Sequence, residues 1–269
     1  MKIGFIGAGN MGRAIIKGLV HADFIPADHV FATGRNREKL VSFCDEQGIE
    51  ACGGNAALVE TCDVVVVAVK PAMFAAVLPP LAELFSRKKP LVISVAAGTS
   101  LATIAALLGD DSVPIVRAMP NVASGLGEGM TALCANPAGL SHISVARDMF
   151  ATIGRVMELE ESHFSAFSAV ACASPAFAFL FVEALAKAGL REGLTKQQAT
   201  LAAAQAVYGS AKMVLEHLEH PALLVDRVCS PGGTTIEGVA TLERKGFTGT
   251  VMDAVAASVA KDRAMLGKG

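Results

Sequence analysis

Residues 2–6 form a short apolar run, Lys-Ile-Gly-Phe-Ile. It leads directly into Gly7-Ala8-Gly9-Asn10-Met11-Gly12, and a helical pattern covers residues 10–20. A strand that ends in GxGxxG and opens a helix has few folds available to it. Gly7 makes the tight turn, Gly9 lets the backbone approach a pyrophosphate, and Gly12 lets helix and strand pack closely. The pyrophosphate then sits on the N–H groups of a helix N-terminus. The pattern predicts the first βαβ unit of an open α/β sheet that binds a dinucleotide. A Gly-rich turn that only packs is the plainer alternative.

The rest of the chain supports that class in its first part and changes character afterwards. Strand patterns cover residues 30–33, 63–69, 91–95, 115–118, 130–134 and 155–159, with helical character at 37–46. The run Val-Val-Val-Val at 64–67 reads as a central parallel strand covered on both faces. Strands alternating with helices imply a doubly wound sheet. From residue 160 onward nearly everything reads as helix: 175–191, 195–219, 221–228, 234–245 and 248–266. Thr195-Lys196-Gln197-Gln198 matches a capping box, and Gly246 reads as a C-cap. Two domains are expected, residues 1–160 for the dinucleotide and 161–269 all-helical.

Composition narrows the function classes. The chain has 269 residues, is 52% hydrophobic and 18% charged, and carries a net charge of −2. It holds no long basic run, so nothing points to a nucleic-acid partner. Cys44, Cys52, Cys62, Cys134, Cys172 and Cys229 include no Cys-x-x-Cys, and none pairs with a histidine at metal-site spacing. Reduced thiols in a cytoplasmic protein without a metal site are expected. The opening residues lack the long apolar core of a signal peptide. Residues 164–182 hold no charge. Ser174-Pro175 inside that run reads as an N-cap and first helical residue, which would split it into two shorter buried helices rather than a membrane span.

Several further positions are candidates for the dinucleotide. A carboxylate on the ribose 2′-hydroxyl would lie about 20 residues past the glycines. The second strand ends instead in Thr33-Gly34-Arg35-Asn36. Thr33 and Asn36 can donate hydrogen bonds, and Arg35 can pair with a 2′-phosphate, so NADP is preferred over NAD. Asn55 joins this set. Val69-Lys70-Pro71 and Ala96-Ala97-Gly98 follow strands and sit where ligands bind in open α/β sheets. The small residues at 96–98 would let a nicotinamide lie flat. Asn121, after the next strand, is either an amide-binding residue or a structural turn residue.

A second site is expected near the other end. Ser230-Pro231-Gly232-Gly233-Thr234-Thr235 precedes a helical pattern and offers hydroxyls and free N–H groups at a helix N-terminus. That arrangement suits a small carboxylate. Capping of the helix by Ser230 and the threonines is the alternative, and the local residues leave both open.

With both ends in view, the chain resembles the pyrroline-5-carboxylate reductase family. The resemblance rests on Phe-Ile-Gly-Ala-Gly-Asn-Met-Gly at 5–12, the loops at 68–71 and 95–98, Arg117-Ala118-Met119-Pro120-Asn121, and above all residues 226–243. The family's Gly-Ser-Ser-Pro-Ala-Tyr appears as Cys172-Ala173-Ser174-Pro175-Ala176-Phe177. The resemblance implies an N-terminal Rossmann-type doubly wound sheet followed by an all-helical dimerisation domain. It also implies NAD(P)H-dependent reduction of 1-pyrroline-5-carboxylate to L-proline, the last step of proline biosynthesis, in a homodimer that can assemble further. Residues 164–182 would then be interface. Substrate would lie between a nicotinamide and the 230–235 turn, with Ser230, Gly232, Gly233, Thr234 and Thr235 clamping its carboxylate. Thr235 and Ser230 are the candidate catalytic residues. Two rival functions are a β-hydroxyacid-dehydrogenase-like oxidoreductase, whose lysine would be Lys187, and a non-catalytic dinucleotide sensor.

Overall fold

A computed structural model describes residues 1–217 and 219–266, the last two by backbone alone. Eight strands form one sheet: β1 (Ile3–Ile6), β2 (Val30–Thr33), β3 (Glu50–Ala51), β4 (Val64–Val67), β5 (Leu91–Ser94), β6 (Ile115–Met119), β7 (Gly129–Ala135) and β8 (Gly154–Glu158). Among them run α1 (Asn10–His21), α2 (Arg37–Gln47), α3 (Asn55–Thr61), α4 (Phe74–Val77), α5 (Ala82–Lys88), α6 (Leu101–Leu108) and α7 (Ile143–Ala151). The strand order is β3-β2-β1-β4-β5-β6-β7-β8. The chain therefore steps outward from β1 in one direction through β2 and β3, then returns to β4 on the other side. The switch point lies between β1 and β4, where open α/β sheets form a crevice at their carboxyl ends.

The valine strand occupies the expected central place. β4 lies between β1 and β5 in parallel pairing, and all four residues are buried. Its alternating side chains divide between two apolar layers. Val64 and Val66 join Ile3, Phe5 and Ile15 on one face, while Val65 and Val67 join Ile6, Leu58 and Phe85 on the other.

Two features of the sheet go beyond the sequence reading. β7 runs antiparallel to β6. Residues 120–128 between them are too few for a parallel crossover, which needs about a dozen residues or more. β3 has two residues and no apolar pattern, so the sequence did not announce it.

Beyond β8 the structure is helical. α8 (Phe164–Phe167), a π-helical turn over residues 168–173 and α9 (Ser174–Arg191) form one uninterrupted run from Glu161 to Arg191. The expected split at Ser174 is therefore corrected. Pro175 lacks the N–H that an α-helix would offer to the Ala171 carbonyl four residues back. That carbonyl instead accepts from Asn121 Nδ2 at 2.8 Å, so the helix passes the proline without breaking.

The helices that follow are α10 (Lys196–His217), α11 (Pro221–Val228), α12 (Thr234–Arg244) and α13 (Phe247–Leu266). The capping box at Thr195 forms: Gln198 N–H donates to Thr195 Oγ1, and Thr195 N–H donates to Gln198 Oε1. Gly246 ends α12 with a left-handed φ of 75°. The long helix expected to run to residue 219 ends at His217, and Glu219 is not helical; Leu218 and residues 267–269 lie outside the described residues.

The chain divides into two compact units, Met1–Cys172 with Val259 onward, and Ala173–Ser258. The first unit thus reaches past the last strand. Phe164 and Phe167 are buried with Met119, Ala132 and Cys134, which holds the first helical residues on the sheet.

Candidate active site

The carboxyl ends of β1, β2 and β4 surround a cleft of about 850 Å³. That lies within the roughly 300–1,000 Å³ of a cofactor pocket. Three glycines shape it. Gly7 has a φ of +102°, and an added Cβ would lie 2.9 Å from the Ala68 carbonyl oxygen. At Gly12 the added atom would lie 2.6 Å from the Gly7 carbonyl oxygen, so only glycine lets α1 pack here. Gly9 is different, because a Cβ there would meet nothing within 4 Å. Its backbone is open to a ligand. Gly9 also caps α1 without any side-chain bond, so the first-turn N–H groups are available to an anion.

Of the expected dinucleotide residues, Gly7, Ala8, Gly9, Thr33, Arg35, Asn36, Asn55, Val69 and Lys70 line the cleft. Thr33 Oγ1 donates to Asn55 Oδ1 at 2.7 Å, joining the end of β2 to the start of α3. Asn36 caps α2 by accepting from Lys39 N–H, so part of its polarity is spent within the chain. Arg35 is exposed, and no carboxylate among the described residues lines the cleft. The donor set fits a dinucleotide: free helix N–H groups for the pyrophosphate and a guanidinium at the end of β2.

The remaining expected residues lie elsewhere. Asn10, Met11 and Gly12 form the first turn of α1, with Met11 packed on the core. Pro71 opens a short turn whose last residue, Met73, lines the cleft while Pro71 itself does not. Ala96 is buried in the second apolar layer, while Ala97 and Gly98 continue the loop after β5. Asn121 is bonded within the chain. Its Oδ1 accepts from Ala123 and Met130 N–H, and its Nδ2 donates to the Ala171 carbonyl, the pattern that the turn alternative calls for.

Gly34 and Ala68, within two of the loops expected to meet the cofactor, line the cleft as well, and sequence reasoning missed Arg13, Arg37, Lys39, Cys52, Gly53, Gly54, Met73 and Val77, which also line it. Arg13 donates to the Ala8 and Lys39 carbonyls and stacks on Phe43, tying the glycine turn to α2. Arg37 donates to the Cys52 carbonyl at 2.6 Å and so fixes the Gly53-Gly54 turn ahead of Asn55. The paired glycines were the one sequence signal available for this wall. Burial pushes the Cys52 thiol up, so it is a poor nucleophile despite the nearby Arg37.

The second candidate site lies in the other unit. Gly232 adopts φ 67°, and Gly233 N–H donates to the Ser230 carbonyl at 3.0 Å, closing the turn. Gly233 caps α12 with no side-chain bond. Ser230, Thr234 and Thr235 are exposed, and their hydroxyls form no hydrogen bond among the described residues. The helix is not capped by these side chains, which leaves hydroxyls and N–H groups together at a positive helix end. Lys187, the lysine of the rival dehydrogenase reading, is exposed and lies 3.6 Å from Glu183 on its own helix. No cluster of three or more metal-ligating side chains occurs among the described residues.

Comparison with known proteins decides the family. A curated pyrroline-5-carboxylate reductase of Escherichia coli K12 is 39% identical, with 94% of each chain covered. The chain belongs to the pyrroline-5-carboxylate reductase family. Residues 161–265 match the model described as pyrroline-5-carboxylate reductase dimerisation, and residues 2–98 match NADP oxidoreductase, coenzyme F420-dependent. The solved pyrroline-5-carboxylate reductase of Coxiella burnetii superposes with a TM-score of 0.93 at 34% identity, covering 98% of each chain. The pyrroline carboxylate reductase of Plasmodium falciparum, solved with NADP bound, gives 0.86 at 30% identity and 98% coverage of each. The expected Rossmann-type sheet followed by a helical dimerisation domain is that of these family members.

Proposed function

We infer that this chain is a pyrroline-5-carboxylate reductase that reduces 1-pyrroline-5-carboxylate to L-proline with NAD(P)H. The observation that carries this is the dinucleotide cleft at the β1/β4 switch point, in a chain 39% identical to a curated reductase along nearly all its length. When bound, the nicotinamide supplies a hydride to the imine carbon. The chain's own task is to hold, orient and shield. Gly9 and the first turn of α1 receive the pyrophosphate. Thr33, Arg35, Asn36 and Asn55 receive the adenosine ribose.

The exposed Arg35 and the lack of any cleft carboxylate among the described residues favour NADPH over NADH. Ser230, Thr234, Thr235 and the N–H groups of Gly232 and Gly233 clamp the substrate carboxylate, supported by their freedom from capping. Thr235 Oγ1, or a water it holds, gives the proton to the imine nitrogen. Residues 1–160 serve the cofactor and 161–269 serve the substrate and a second subunit. The apolar run Glu161–Arg191 is long enough to cross a membrane, with Phe179 and Leu180 exposed at 69% and 71%. We assign that face to a homodimer, on the dimerisation model that matches it. Six free cysteines favour the reducing cytoplasm.

The test follows NADPH absorbance with purified protein and 1-pyrroline-5-carboxylate, beside an NADH control. Imine-dependent oxidation, faster with NADPH, is expected. Arg35→Ala should lower kcat/KM for NADPH about tenfold and leave NADH nearly unchanged, a loss of about 1.4 kcal/mol. Thr235→Ala should lower kcat/KM at least tenfold. A change under about threefold removes Thr235 from the mechanism.

A further inference from the structure

Arg117 is the largest fully buried side chain in the molecule's described part, at 1% exposure, and nothing in the mechanism uses it. It lies on β6 in register with Ser94, the last residue of β5, from which the loop 95–100 departs. Its Nη1 donates to Glu161 Oε1 at 2.8 Å, and its guanidinium carbon stands 4.6 Å from the centre of the Phe164 ring. The same Glu161 oxygen accepts from Leu101 N–H at 2.8 Å. Leu101 opens α6, directly after the loop, so its N–H is one of those a helix leaves without an internal partner. Ser100 serves Thr103 N–H and does not reach Leu101. The loop's other tethers lie at its near end and are long, Val95 N–H to the Val67 carbonyl at 3.3 Å and Ala96 N–H to Ser94 Oγ at 3.4 Å. Glu161, 60 residues away in sequence, therefore fixes the far end of the loop.

Stability alone does not account for this pair. Arg117 Nε and Nη2 are buried without a hydrogen-bond partner. Arg117 is buried with unsatisfied donors while Glu161 keeps 31% of its side chain exposed, and a buried cation so incompletely paired is commonly no better for stability than an apolar residue of similar volume.

We propose that Arg117 and Glu161 are a positioning pair for the dinucleotide: buried Arg117 sets the Glu161 carboxylate, and Glu161 holds the loop 95–100 in the shape that receives the nicotinamide. This rests on assigning that loop to the nicotinamide. Two variants separate positioning from folding. Glu161→Ala removes both bonds. Glu161→Asp keeps a charge beside Arg117 but shortens the reach toward Leu101 N–H.

The first readout is amide exchange over residues 96–103 in the unliganded protein. The second is the Kd for NADPH from its fluorescence. The third is KM for each substrate. Both variants should exchange at least tenfold faster at Leu101 and bind NADPH at least fivefold more weakly. KM for the imine should stay within twofold, and Glu161→Gln, which keeps an acceptor oxygen, should restore NADPH binding to within twofold of the parent. Unchanged NADPH affinity in a folded Glu161→Asp protein overturns the proposal, as does an equal rise in both KM values. Exchange and NADPH binding need no imine, so failure of the parent to reduce pyrroline-5-carboxylate would be recognised separately.

Discussion

An added methyl at Gly12 would press on the Gly7 carbonyl, while one at Gly9 has free space around it. The two glycines of one motif therefore answer to different constraints. Gly12→Ala should cost about 1–3 kcal/mol of stability through overpacking, read from denaturant unfolding. Gly9→Ala should unfold like the parent yet bind NADPH at least fivefold more weakly in a fluorescence titration. Equal effects of the two on stability would mean that Gly9, too, is there for packing. Asn121 presents a comparable choice between fold and ligand. Its amide replaces the N–H that Pro175 lacks, so Asn121→Ala leaves the Ala171 carbonyl short of a donor. A loss of about 1–3 kcal/mol is expected, with NADPH affinity within twofold of the parent. The sequence placed Asn121 at the right end of the right strand but not against its partner. That partner lies 50 residues further along the chain.

At the scale of single elements, local signals were reliable where the physics is local. The capping box at Thr195 formed as the sequence specified, since cap and acceptor lie three residues apart. Thr195→Ala should remove about 1 kcal/mol, measured as a shift in the urea midpoint at constant slope. The Ser174 cap failed because a donor from another element rescued the helix at Pro175. The connection after α6 carries a pH signature. Hydrogen bonds from Ser112, and from Ser86 on α5, lower the Asp110 carboxyl from 3.8 to about 2. A carboxyl depressed in the folded state adds stability above its unfolded value, and that stability is lost as pH falls through the folded value. The parent should therefore be more stable than Asp110→Asn at pH 5, and the difference should close between pH 4 and 2 in acid unfolding. A constant difference across that range would remove the carboxylate from the account.

For the whole molecule, the decisive feature is an apolar helical run that its own chain leaves uncovered. Phe179 and Leu180 would be costly to leave in water, at roughly 1.5–3 kcal/mol for each such side chain. Sedimentation of the purified protein should give a dimer or a multiple of it without detergent. Leu180→Glu should shift it toward monomer and lower its thermal midpoint. A detergent requirement in the parent would favour a membrane for this run instead. The expectation of buried helices at 164–182 holds only in part within one chain. Phe164, Phe167 and Ala169 are buried, whereas none of residues 170–182 is.

The amino-acid sequence alone determined the α/β class, the valine strand at the sheet centre, the glycine turn and the change to helix near residue 160. Each follows from spacing and residue type within a few turns of chain. Identity of the family was likewise legible, because its motifs are contiguous stretches. The tertiary structure decided what depends on residues meeting across long separations. It reversed β7 against β6, carried the helix through Pro175 on an amide from Asn121, and closed the cleft with Arg13 and Arg37. It also buried Arg117 against Glu161. Periodicity records which face of an element is apolar, but not which distant donor will reach a given carbonyl, and that is set only when the layers pack.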